Sequence, residues 1–132
     1  MRIGLVSSEK SLIDISGAVA SALRSQIHGV QVSVKIAPTN LDVVSDVVSM
    51  KGFDLVVVLL YYEGSNASPD VSVLMGKLVD LDSGGFKILK FVEQGDDFDA
   101  DVESSRVVGA VLLKLFGSRK KAERHKGSYS NL

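Results

Sequence analysis

A chain of 132 residues, 45% hydrophobic and 23% charged, has the size and mix of one globular domain around one core, which argues against a second domain. Fifteen Lys and Arg against 16 Asp and Glu leave a net charge of -1, which argues against a dedicated nucleic-acid binder or a strongly membrane-attracted protein. The absence of cysteine removes disulfides, thiolate zinc sites and cysteine nucleophiles together, and only His28 and His125 carry imidazole.

The first predicted element is a strand, Arg2-Ile-Gly-Leu-Val-Ser7, short, apolar and containing β-branched residues. Leu12, Ile15, Val19, Leu23 and Ile27 then recur at spacings of three and four, with Ala18 and Ala22 on the same side. That spacing predicts an amphipathic helix stopped by His28-Gly29. Val30 to Ile36 alternates apolar with polar and reads as a second strand. Leu41, Val44, Val47 and Val48 repeat the helical spacing after Pro38-Thr39-Asn40. Phe53 to Leu60 is an almost continuous apolar run, which suits a strand buried on both faces.

Ser68-Pro69-Asp70 is a helix start, with a hydroxyl cap, proline at the first helical position and an acid in the first turn, and the helix is expected to reach about Asp80. Asp82 to Gly85 is a turn and Phe86 to Val92 a fourth strand. Val102, Val108, Val111, Leu112, Leu115 and Phe116 mark a closing helix. The order β-α-β-α-β-α-β-α requires right-handed crossovers and predicts a four-stranded parallel sheet with helices on both faces. An α/β domain over 1–117 is expected to be followed by a flexible basic tail over 118–132, rich in Lys and Arg and nearly free of apolar residues. The longest apolar run, Leu55 to Tyr62, is eight residues, short of the roughly 20 a spanning helix needs, and no signal-peptide pattern follows Met1. A soluble, cytoplasmic protein is expected.

Ligands of open parallel sheets bind beyond the carboxyl ends of the strands. Four segments qualify: Ser7 to Lys10, Ala37 to Asn40, Tyr61 to Ser68, and Glu93 to Gly95. The third is the richest: Tyr61-Tyr62-Glu63-Gly64-Ser65-Asn66 combines aromatic faces, a carboxylate, a glycine and small polar side chains, a set able to stack a heterocycle and bind an anion. The same residues also read as a strand end and its turn. Ser8, Glu9 and Lys10 offer a hydroxyl, an acid and a base, or simply a cap for the first helix. The six acids from Glu93 to Glu103 suggest a divalent-cation loop but lack the EF-hand pattern, and acids before a helix are favoured by its dipole. No Gly-x-Gly-x-x-Gly or Walker sequence occurs, so dinucleotide and P-loop binding lack their signatures.

Taken end to end, residues 1–116 resemble the lumazine synthase superfamily, and within it the archaeal riboflavin synthases. Arg2 to Ser7 resembles the family's opening strand, Ile13-Asp14-Ile15 its Val-Asp-Met, Ala37-Pro38-Thr39-x-x-Asp42 its Val-Pro-Gly-x-x-Asp, and Phe53 to Val57 its buried third strand. Glu63-Gly64 falls where lumazine synthases carry Glu-Gly before a catalytic histidine, and the acids after Phe91-Val92 resemble the family's fourth-strand exit. The chain departs from the pattern at Lys10, where a ring-stacking phenylalanine is expected, at Thr39, in place of glycine, and near Ser68, where the histidine would stand.

The resemblance implies an αβα sandwich with strand order 2-1-3-4, a homo-oligomer of pentamer type with sites between subunits, and riboflavin-pathway transferase chemistry on 6,7-dimethyl-8-ribityllumazine or its precursors, without metal or cofactor. It places Ser8, Pro38, Thr39, Asn40, Asp42, Tyr61, Tyr62, Gly64, Ser65, Asn66 and Arg106 at the substrate and makes Glu9, Lys10 and Glu63 candidates for proton transfer. A second reading is a non-catalytic pteridine- or flavin-binding or scaffold member. A third is an unrelated flavodoxin-like domain binding a phosphorylated ligand.

Overall fold

The structure, a computed structural model, describes residues 1–64 and 69–117. Its elements in chain order are β1 (Arg2–Ser8), α1 (Ser16–Gln26), β2 (Gln31–Ala37), α2 (Asp42–Val48), β3 (Leu55–Glu63), α3 (Pro69–Ser83), β4 (Ile88–Gly95) and α4 (Ala100–Phe116). The four strands form one sheet in the order β2-β1-β3-β4, every pair parallel, as expected.

Strand side chains alternate between faces, and this divides the core in two. Ile3 and Leu5 of β1 and Leu55, Val57, Leu59 and Tyr61 of β3 pack with Val19 and Leu23 of α1 and Val107, Val111 and Leu112 of α4. Val6, Val56, Val58 and Leu60 pack on the other face with Val43 and Val47 of α2 and Leu74 and Leu78 of α3. β3 is apolar without interruption because it lies between β1 and β4 and is covered on both faces. Burying each such aliphatic side chain stabilises the fold by roughly 2 kcal/mol relative to exposing it. β2, at the sheet edge, leaves Val34 and Ile36 exposed.

Several boundaries differ from the sequence reading, each for an identifiable reason. α1 begins at Ser16, not Leu12. The Asp14 carboxylate accepts from the Ser16 amide and hydroxyl, while the Leu12 amide donates to the Tyr61 carbonyl at 2.7 Å. Pairing of β1 with β3 stops at Val6–Val58, and β3 continues to Glu63. Residues 11 and 12 satisfy backbone groups of β3 that β1 no longer reaches, which draws Leu12 out of the helix. In α2 the buried face is Val43 and Val47, continued by Met50 beyond the helix, with Val44 partly covered, whereas Leu41 and Val48 are exposed. In α1 it is Ala20 that is buried while Ala18 is exposed. In α4 Val102 is exposed and Val107 joins the core.

α3 runs to Ser83, three residues beyond the expected end. β4 starts at Ile88 and continues to Gly95, because β3 offers partners as far as Glu63 opposite Gly95. Glu93 to Gly95 are therefore strand residues rather than a connecting loop. In the acidic stretch, the Asp99 carboxylate caps α4 by accepting from the amides of Asp101 (2.9 Å) and Val102 (3.1 Å). Among the described residues no three Asp, Glu or His side chains converge to hold a metal ion. No helix among them is long and apolar enough to cross a membrane. The expected cap at Ser68, together with Ser65, Asn66 and the basic segment 118–132, lies outside the described residues.

Candidate functional site

In the order 2-1-3-4 the chain leaves β1 toward one edge and β3 toward the other, so the connections diverge above the carboxyl ends of these two strands. A polar network occupies that point on the α2/α3 side. Asn40, in the β2–α2 connection and 7% exposed, is its centre. Its Oδ1 accepts from the Tyr62 hydroxyl at 2.7 Å and from the Ser8 hydroxyl at 3.3 Å, and its Nδ2 donates to Asp70 Oδ2 at 2.8 Å. Ser8 Oγ in turn accepts from the Lys10 amide at 3.0 Å. Segments far apart in sequence thus meet: the ends of β1 and β3, the β2–α2 connection and the first turn of α3.

With two donors on its oxygen and a carboxylate on its nitrogen, the Asn40 amide can adopt only one of its two flips. Burial, then the Asp70 carboxylate, pushes the Tyr62 phenol up to about 12. Tyr62 is therefore a neutral hydroxyl donor at physiological pH, suited to binding rather than to taking a proton.

The remaining predicted site residues among those described fall into four groups. Pro38, Thr39 and Asp42 are exposed at the rim. Thr39 Oγ1 and Asp42 bond to each other at 2.8 Å, and the Asp42 amide donates back to Thr39 Oγ1 at 3.3 Å, so this pair closes the start of α2. Glu9, Lys10 and Glu63 are exposed, with no ion pair among the described residues. Gly64 has φ of 86° and its amide donates to the Gly95 carbonyl at 3.3 Å, a left-handed turn that favours glycine in the Glu63-Gly64 pair.

Tyr61 and Arg106 lie on the opposite face of the sheet, with α4. Tyr61 is fully buried and meets Phe98 edge-on, ring centroids 5.0 Å apart. Its hydroxyl has no hydrogen-bond partner in acceptable geometry, although the Glu103 carboxylate is near enough to act on it electrostatically. Burial first, and Glu103 second, push this phenol also up to about 12. Arg106 sits 2.9 Å from Glu103 and 3.4 Å from Glu93, with its guanidinium 5.3 Å from the centroid of the Phe91 ring. The hydrogen bond that Arg106 donates to Glu103 raises the arginine's pKa further. An arginine held by two carboxylates has most of its charge balanced before any ligand arrives.

Sequence reasoning does not single out Ser11, has Ser7 and Glu103 only as members of a strand-end segment and an acidic stretch, and has Asp70 only as a helix-start acid. Ser11 Oγ accepts from the Tyr61 amide at 2.9 Å, and Ser7 is a second buried hydroxyl without a partner. Only the contacts reveal these roles.

The two phenols give a pH prediction. A tyrosine whose folded pKa lies above its unfolded value near 10 contributes stability that is complete below pH 10 and is lost as the pH rises from 10 through 12. Alkaline unfolding should begin above pH 10, and Tyr61→Phe and Tyr62→Phe should each move its midpoint upward. Circular dichroism followed beside phenolate absorbance measures this; ionisation of all the tyrosines near pH 10 with the fold retained would contradict it.

Fold and site together define an open, all-parallel α/β sandwich with a polar network at its switch point. Compared with protein-family models the chain matches none, and no curated protein shows a significant match to it.

Proposed function

We propose that the carboxyl edge of the sheet binds a small polar heterocycle of the ribityllumazine type, and that the chain is a riboflavin-biosynthesis protein of the lumazine or riboflavin synthase type. The observation that carries this reading is the Asn40 network: a fixed amide, a neutral phenol and a hydroxyl assembled where β1 and β3 diverge. Such groups read a polyol or a pyrimidinedione edge by hydrogen bonding. The strand order 2-1-3-4 is the one the resemblance implies. Glu9, Lys10 and Glu63, exposed at the carboxyl edge, are the groups in this reading that move protons. Assembly into a homo-oligomer, a pentamer in this reading, is supported by Val34 and Ile36, which stand exposed on the edge strand.

The second reading, a binding-only or scaffold member, is favoured by one specific observation: the polar groups of the network are bonded to one another, and Arg106 to two acids. One experiment separates the two. Purified protein is incubated with 6,7-dimethyl-8-ribityllumazine, its fluorescence is followed, and the mixture is analysed chromatographically for riboflavin. Riboflavin above the uncatalysed blank, lost in Tyr62→Phe, is the expected result. A spectral change without product supports the binding-only reading, and no change of either kind removes this substrate.

A further inference from the structure

At the opposite end of the sheet, below the amino ends of β3 and β4, the α2–β3 and α3–β4 connections enclose a cavity of about 410 Å³. That volume lies in the range of small-molecule sites. Its lining includes Lys51, Phe53, Asp54, Gly85, Phe86 and Lys87. None of these residues belongs to the network at the carboxyl edge.

Three features of the lining point to one kind of ligand. First, it carries two ammonium groups. Lys51 and Lys87 are exposed, and neither ammonium has an ion pair or hydrogen bond among the described residues. The carboxylate of Asp54 accepts from the Arg2 amide at 2.7 Å, and the Arg2 guanidinium, outside the lining, lies 4.1 Å from the Phe53 ring centroid. Second, Phe53 and Phe86 line the cavity, one from each connection, and both are only half-buried. Third, the lysines are not consumed in closing the helices. The last carbonyls of α2 are met by the amides of Ser49, Met50 and Lys51, and those of α3 by the amides of Gly84, Gly85 and Phe86. The helix ends carry about half a negative charge each, less than the full charges of the two lysines.

We propose that this cavity binds an aromatic phosphate, its ring against Phe53 and Phe86 and its dianion between Lys51 and Lys87. The pairing of two free ammonium groups with two aromatic surfaces distinguishes the site from a merely basic patch, which would take inorganic phosphate equally well. The site is independent of the carboxyl edge and of any activity there.

The test is a titration of the full-length, ¹⁵N-labelled protein with phenyl phosphate, followed by amide chemical shifts, with inorganic phosphate and phenol as separate probes. Phenyl phosphate should shift the amides of Gly52, Phe53, Gly85, Phe86 and Lys87 saturably, leave Tyr62 and Gly64 unmoved, and bind at least tenfold more tightly than either fragment. The double variant Lys51→Glu/Lys87→Glu, both positions being exposed, should keep the wild-type spectrum elsewhere and weaken binding at least tenfold. Equal affinity for inorganic phosphate, shifts confined to the carboxyl edge, or unchanged binding in the double variant would each overturn the proposal.

Discussion

Replacing Gly4 with valine should destabilise the domain by about 3 kcal/mol, the upper part of the usual range for overpacking a core. Gly4 is in β1, inside the sheet, paired on one side with Ser33 and on the other with Val56. A Cβ at this position would lie 2.1 Å from the Met50 sulfur, and Met50 is itself 1% exposed. The thioether fills the space that a side chain would need, so one of the two must give way. Urea denaturation should show a lower midpoint for Gly4→Val. Met50→Ala should also destabilise, by about 2 kcal/mol or more through the cavity it leaves. The double variant should be clearly more stable than the sum of the two losses, because each substitution relieves the other. Strict additivity would mean that sulfur and glycine do not share this space.

Asn40→Leu should cost about 3 kcal/mol and, under the proposed function, eliminate ribityllumazine binding at the carboxyl edge. The substitution leaves the Ser8 hydroxyl, the Tyr62 hydroxyl and the Asp70 carboxylate without the group that joins them. A buried hydroxyl that loses its acceptor costs about 1–3 kcal/mol, with Tyr62 at the lower end because it is half-buried and water can reach it. Tyr61→Phe, which removes a buried hydroxyl that already lacks a partner, should cost little or stabilise slightly. The two variants, compared by urea midpoint, therefore separate a used hydroxyl network from an unused one.

Asn40→Asp adds a pH signature. It sets a carboxyl at hydrogen-bond distance from Asp70, so one of the pair must retain a proton in the folded state. A carboxyl whose folded pKa is raised above the unfolded value of about 4 contributes stability that is present below that value and lost as the pH rises through the raised one. The gap in stability between this variant and wild type should widen from pH 4 toward neutrality. A gap independent of pH would place Asp70 outside the network.

The sheet was legible in the sequence because its signals are local. The unbroken apolar run of β3 and the alternation of β2 follow from which faces are covered, and the β-α repeat leaves few topologies. Leu12 was misread because a spacing of three to Ile15 suits a helix equally well whether or not its backbone is taken by Tyr61, 49 residues away. The phase of α2 was misread because it offers more apolar residues than one face can bury, and only packing against β1 and β3 selects Val43 and Val47.

At the site, the period of two of a strand is itself informative. Neighbouring Tyr61 and Tyr62 must point to opposite faces of the sheet, which separates them into the α4 and α3 sides. The partnerships of Asn40 with Asp70, and of Arg106 with Glu93, join residues far apart in sequence. No local pattern announces them.

The segment between β1 and α1 has a consequence for how the domain comes together. Its amide at Glu9 donates to Ala37 at the end of β2, and its amide at Leu12 donates to Tyr61 near the end of β3, so four residues splint two strands across the top of the one between them. Both anchors are non-local, and their loop-closure entropy must be met before either bond forms. These two bonds form only when all three strands are in place. Amide exchange at Glu9 and Leu12 should report the integrity of three strands at once, and loosening any one of them releases Lys10 and Ser8 together.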